Sequence, residues 1–332
     1  MNDLLFALNA VLPIVLLIAL GYVLKGLKLF TEEFLSVGNK LCFTVLLPTV
    51  LFDSVYDIES LSDVDASLVA YCVGSIIAAF LLGLIVVKLF VPERDQKGVV
   101  LQCTFRSNYA MIGLPLAELL YGAEGKAIAS LMAAFIIPTL NILAVIALTA
   151  FIKGDENEDG GFLKNLVRTL SGIIKNPLII GVVAGIVVLI IRGIFERSGI
   201  TFRLSDIEVL SKTVSFVAAA TTPFALMVLG GQFALKHFAV YKKQIVIATF
   251  FRMVVVPALF VTIAVLLFGF KGAKIVTVVA IFGSPIATAS AIMAREMHSD
   301  ADLAGALVVS TTVISSVTLV VLVTILKACA VI

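Results

Sequence analysis

Two short stretches of this sequence combine residues that can hold an anion with residues that open a helix. The first carries Gln102, Arg106, Ser107, Asn108 and Tyr109 and ends on Gly113-Leu114-Pro115. The second is Gly283-Ser284-Pro285, followed by Thr288 and Ser290. A proline inside a helix removes one backbone donor and collides with the carbonyl four residues back, so each Gly-x-Pro predicts a broken helix. The N–H groups freed there carry the partial positive charge of a helix N-terminus, which favours an anion. A guanidinium matches a carboxylate with two parallel hydrogen bonds. An asparagine amide both donates and accepts. Asn141, which follows Pro138 in a long apolar stretch, is expected to reach the same cavity. The candidate binding residues are therefore Arg106, Ser107, Asn108, Tyr109, Gly113, Asn141, Ser284 and Thr288, with Pro115 and Pro285 keeping the two helices interrupted. For Arg106 the alternative is a side chain that snorkels to the interface near Lys97. For Asn108 it is a cap on its own broken backbone, which is compatible with binding.

Catalytic chemistry has no comparable support. Asp53 and Glu118 lie near the ends of apolar runs and leave no carboxylate pair at membrane depth. The histidines, His237 and His298, fall in polar connections. Zinc-protease, nucleophile-elbow and Walker-type motifs are all missing. Cys42, Cys72, Cys103 and Cys329 have no metal-like spacing and read as reduced packing residues. No catalytic residue, metal or cofactor is expected, and a membrane-embedded enzyme is disfavoured. Three further basic residues fall within or near the ends of apolar runs: Lys40, Lys212 and Arg252. Snorkelling explains the first two well and Arg252 less well.

The elements that must position these residues are membrane helices. Of 332 residues 61% are hydrophobic and 14% charged, with mean hydropathy +1.16. So few charges cannot coat a soluble globule, and the net charge of +2 argues against a nucleic-acid partner. Apolar runs of about 20 residues predict spanning helices rather than a barrel. Ten are expected, near 4–24, 34–53, 66–90, 98–121, 126–152, 176–195, 207–231, 243–268, 274–294 and 303–326. The first lacks a basic leader and reads as a membrane helix rather than a signal peptide. The longest polar stretch, Lys153 to Gly161, is a solvated hinge between two halves, 1–152 and 176–332, joined by a cytoplasmic loop at 153–175. With the N-terminus outside, thirteen Lys and Arg fall on the cytoplasmic side and seven opposite. Both termini are therefore expected outside a plasma (inner) membrane.

The halves also correspond. Pro13, Pro48 and Gly113-Leu114-Pro115 match Pro177, Pro223 and Gly283-Ser284-Pro285 in order, each about half a chain apart. Two tandem five-helix copies must enter the membrane from opposite sides, which predicts an inverted repeat. Gly181 and Gly185 form a small-xxx-small pair that predicts close helix packing.

The stretch Ser107-Asn108-Tyr109-Ala110-Met111-Ile112-Gly113-Leu114-Pro115-Leu116, with Leu120-Tyr121-Gly122, resembles the fourth-helix motif of the auxin efflux carrier family. Met293-Ala294-Arg295-Glu296-Met297 with Asp302-Leu303, Asn176-Pro177 and Leu46-Leu47-Pro48 are similar to other segments of that family. The resemblance implies an all-α fold of ten helices in a five-plus-five inverted repeat, with spans four and nine broken and crossed at Pro115 and Pro285. It implies a scaffold of spans one, two, six and seven and a transport domain of spans three to five and eight to ten. It also implies a homodimer through the scaffold and a substrate role for Asn108. The expected activity is secondary transport of a small organic anion by an elevator-type mechanism. The solute would be a carboxylate or a dicarboxylate such as malate or malonate, or an auxin-like acid, and coupling to H⁺ or Na⁺ is left open. A sodium-coupled bile-acid-type carrier and a ligand sensor without transport are the alternatives. The family's long central loop is missing, which looks like a compact prokaryotic form.

Overall fold

A computed structural model describes residues 2–56, 65–151, 175–199, 203, 206–232 and 236–332. The polar hinge from Lys153 to Gly161, with Lys164 and Arg168, lies outside the described residues, as do Asp57, Glu59 and Asp63. Among the described residues every regular element is helical. The order is α1 (Asn2–Gly26), α2 (Glu32–Leu41), α3 (Leu47–Tyr56), α4 (Ala66–Phe90), α5 (Arg94–Phe105), α6 (Leu114–Thr149), α7 (Pro177–Arg197), α8 (Glu208–Gln232), α9 (Lys236–Val240), α10 (Lys242–Phe250), α11 (Val256–Leu266), α12 (Gly272–Phe282), α13 (Ala289–Glu296) and α14 (Ala301–Ala328). Seven helical segments among the described residues are long and apolar enough to cross a membrane. The chain is a multi-span membrane protein.

Among the described residues three wide π-turns join consecutive helices: Cys42–Leu46 before α3, Tyr109–Gly113 before α6 and Phe251–Val255 before α11. Each ends two residues before a proline, namely Pro48, Pro115 and Pro257. The residue before each proline reaches back five residues instead of four: Leu47 N–H to Cys42, Leu114 to Tyr109 and Val256 to Phe251. Widening the turn by one residue gives the proline ring room and lets the helix continue past it.

Apolar surface faces outward in stripes. Ile77, Leu81, Ile85 and Leu89 on α4 are exposed at four-residue spacing, as are Val313, Val317, Val321 and Ile325 on α14. That spacing sets each group on one helix face, a surface suited to lipid. The interior is different. In α12, Ala273 and every residue from Ile275 to Phe282 are buried, so this helix is enclosed by its neighbours, chiefly α6 and α11.

Several helices approach at backbone distance, two pairs most closely. α1 runs along α8, where a Cβ on Gly230 would lie 1.9 Å from the Ile18 carbonyl oxygen and one on Gly21 2.0 Å from that of Met227. α7 runs along α3, where a Cβ on Gly181 would lie 2.5 Å from the Pro48 carbonyl oxygen. Glycine at these points lets main chain touch main chain, the packing used between helices in lipid. Outside the spans, the Lys274 ammonium pairs with the Asp65 carboxylate, which also caps α4 by accepting from the Ser67 and Leu68 amides. Lys274 first, and then the Ser67 hydroxyl, hold the Asp65 carboxyl well below the usual carboxylate range.

Candidate functional site

The first helix interruption falls at 106–108. Helix α5 ends at Phe105, and Arg106 turns extended at φ −72°, ψ 130°. Asn108, at φ −80°, ψ 52°, leads into the π-turn that opens the next helix. Gly113-Leu114-Pro115, where the sequence predicts the break, lies in continuous helix. Its missing N–H is absorbed by the π-turn, and Pro115 sits in the first turn of α6. The second interruption occupies 283–288, between α12 and α13, and contains Pro285 as expected.

The two interruptions touch. The Asn108 backbone N–H donates to the Pro285 carbonyl at 2.8 Å, while the Asn108 carbonyl accepts from the Ile112 and Gly113 amides at 3.0 and 3.3 Å. One residue thus ties its own helix start to the opposite break. Other groups freed by the second break also find partners. Arg252, from the π-turn before α11, is fully buried and donates to the Ile281 carbonyl at 2.9 Å and the Ser284 carbonyl at 2.6 Å. A cation there complements the negative end of α12. The Ile286 amide donates to the Thr311 hydroxyl at 3.3 Å, and the Ser284 hydroxyl to the Ala280 carbonyl at 2.7 Å.

A cavity of about 100 Å³ opens beside the contact. Arg106, Ser107, Asn108, Tyr109, Asn141 and Thr288 line it. Arg106 is only 3% exposed, so it is a buried residue and does not snorkel. Its Nη2 donates to Asn141 Oδ1 at 2.9 Å, and its Nη1 meets the Met293 sulfur. Asn141 in turn donates through Nδ2 to the Ile137 carbonyl at 2.8 Å, which orients its oxygen toward the guanidinium. Tyr109 donates to the Ala129 carbonyl at 2.7 Å, fixing the π-turn against α6. Among the described residues, the Asn108 side-chain nitrogen and the Ser107 hydroxyl are buried without a partner. The site therefore offers a cation, two amides and four hydroxyls, and among the described residues no carboxylate lines it. That inventory suits reversible capture of a carboxylate or carbonyl oxygen.

Gly113, Ser284, Pro115 and Pro285 are not on the cavity wall. Gly113 is a packing position, where a Cβ would lie 2.8 Å from the Ala280 carbonyl oxygen of α12. Lys40 is exposed, and Lys212 is exposed and paired with Glu208. The part of the site that sequence reasoning did not name is its opposite wall: Leu47, Val50 and Leu51 from α3, Leu178 from α7 and Thr222 from α8. A signal was available, because Leu47, Leu178 and Thr222 adjoin Pro48, Pro177 and Pro223, members of the matched proline pairs.

Comparison with known proteins places the chain as a whole. A similar protein is an uncharacterized transporter, MJ1031, of Methanocaldococcus jannaschii, 24% identical over 270 residues that span 78% of this chain and 80% of that one. A family model described as membrane transport protein matches residues 6–323. With nearly its whole length covered, the chain belongs to this membrane transport protein family, the auxin efflux carriers that its helix motifs resemble.

Proposed function

We propose that this protein is a secondary carrier for a small organic anion, a mono- or dicarboxylate, and that it works by elevator-type alternating access. In this reading ten spans form two inverted five-helix halves. Their reciprocal packing supports it: the first span lies against the seventh (α1 on α8) and the second against the sixth (α3 on α7), and each half sends one broken helix to a shared crossing. Spans one, two, six and seven make the scaffold. The remaining spans carry the solute past it, with Arg106, Asn108 and Thr288 holding the carboxylate.

One observation carries the reading: the Asn108–Pro285 backbone bond brings both interruptions together beside a cavity that holds a buried guanidinium. Non-helical backbone at membrane depth is tolerated only where protein or a water-lined cavity receives it, and paired interruptions mark transport sites. Uptake of labelled malonate, malate and phenylacetate into proteoliposomes tests it. Asn108→Ala keeps the backbone bond and removes the side-chain donor, so uptake should fall about 10–100-fold, the effect of one lost hydrogen bond to a charged group. Wild-type uptake of an acid with unchanged kinetics in the variant would contradict the assigned role.

A further inference from the structure

We propose that this carrier is an exchanger, returning across the membrane only with an anion bound, because Arg106 depends on the solute for its counter-charge. The inference rests on the transport reading above. Both hydrogen-bond partners of Arg106, the Asn141 amide oxygen and the Met293 thioether, are neutral. Among the described residues no Asp or Glu pairs with it.

Arg252, another buried cation, is in a different position. Its charge meets the Ile281 and Ser284 carbonyls at the negative end of α12, and it does not line the cavity. It stays wrapped within one bundle wherever that bundle moves. Arg106 lines a cavity that the scaffold spans of this reading line with Leu47, Val50, Leu51 and Leu178 and one polar residue, Thr222. In an elevator cycle the guanidinium must slide along that wall. A charge moved past apolar surface without a counter-ion is strongly penalised, whereas a guanidinium–carboxylate pair is close to neutral. The Asn108 amide nitrogen, buried without a partner on the same cavity, supplies a second donor to the anion that completes the pair. A loaded site therefore crosses, and an empty one stays.

The test uses the full chain in liposomes preloaded with labelled malonate, malate or phenylacetate, with potassium and valinomycin clamping the potential at zero. Label efflux is compared between a medium containing the same unlabelled acid and one free of carboxylates. Exchange should exceed net efflux about 100-fold, equivalent to about 2.7 kcal/mol. Asn141→Asp places a permanent carboxylate where Oδ1 now lies 2.9 Å from Arg106. With the charge compensated internally, the empty site becomes mobile, and the ratio should collapse to about threefold or less. Wild-type net efflux as fast as exchange overturns the exchanger and leaves the carrier reading standing. A ratio near 100-fold that survives in a folded Asn141→Asp protein overturns Arg106 as its cause. Failure of every acid to leave under either condition overturns the organic-anion reading and the exchanger together. The wild-type ratio decides between exchanger and free return even where the variant does not fold.

Discussion

Replacing Arg252 by Met isolates what holds the second interruption open. Arg252 is fully buried, and its Nη2 donates to two carbonyls, Ile281 at 2.9 Å and Ser284 at 2.6 Å. A hydrogen bond from a charged donor contributes about 1.5–3 kcal/mol, so losing both removes about 3–6 kcal/mol. Part of this is recovered. The Nε and Nη1 atoms of Arg252 are buried without a protein partner, and methionine occupies much of the same volume without burying a charge. The expected net loss is about 2–4 kcal/mol, a fall in Tm of about 3–6 °C for a chain of this size. Thermal unfolding in detergent measures the fall. Amide hydrogen exchange across 283–288 locates it, since freeing the two carbonyls should speed exchange there first. Arg252→Lys, which keeps a charge but not the planar fork, should fall between the two. A Tm within about 1 °C of wild type, with exchange unchanged at 283–288, would refute the assignment of Arg252 as the clamp on this break.

Other consequences follow from named contacts. Pro115→Ala restores a backbone donor and relaxes the π-turn Tyr109–Gly113 toward α-helix, turning Asn108 away from the cavity; acid uptake should drop at least about 10-fold while Tm holds or rises. Gly230→Val puts side-chain atoms where even a Cβ would lie 1.9 Å from the Ile18 carbonyl oxygen, so α1 and α8 must separate; a loss of about 3 kcal/mol or more is expected in thermal unfolding. Asp65 has its folded pKa depressed by Lys274, so its stabilising contribution is present above about pH 4 and is lost as pH falls further through the depressed value. Asp65→Asn should therefore flatten part of the decline in Tm below about pH 4, without a matching change in slope near neutrality. Since no carboxylate lines the cavity among the described residues, replacing Na⁺ by K⁺ should leave acid uptake unchanged, and strict sodium dependence would favour a bile-acid-type coupling instead.

The polar residues of the cavity were legible in the sequence because the membrane makes polar side chains conspicuous. Arg106, Ser107, Asn108 and Asn141 stand out in apolar runs, and all four line one cavity. The exact site of the first break was not legible. Pro115 signals a disturbed helix, but a proline can be accommodated by a π-turn as readily as by a rupture, and only the backbone angles of Arg106 and Asn108 separate the two outcomes. The clamp role of Arg252 was hidden because its partners, the Ile281 and Ser284 carbonyls, belong to the backbone and have no sequence signature. The apolar wall from Leu47, Val50, Leu51 and Leu178 was hidden for another reason. In a chain this rich in apolar residues, a leucine facing a cavity reads the same as one facing lipid.

The most direct measurement is an experimental density map of the protein with a carboxylate bound, using whichever labelled acid is taken up by proteoliposomes. Carboxylate density should lie between Arg106, Asn108 and Thr288, beside the Asn108–Pro285 contact, with the body of the acid against Leu47 and Leu51. Density for the acid elsewhere, or a map in which residues 106–108 and 283–288 lie apart, would contradict the crossing as the solute site.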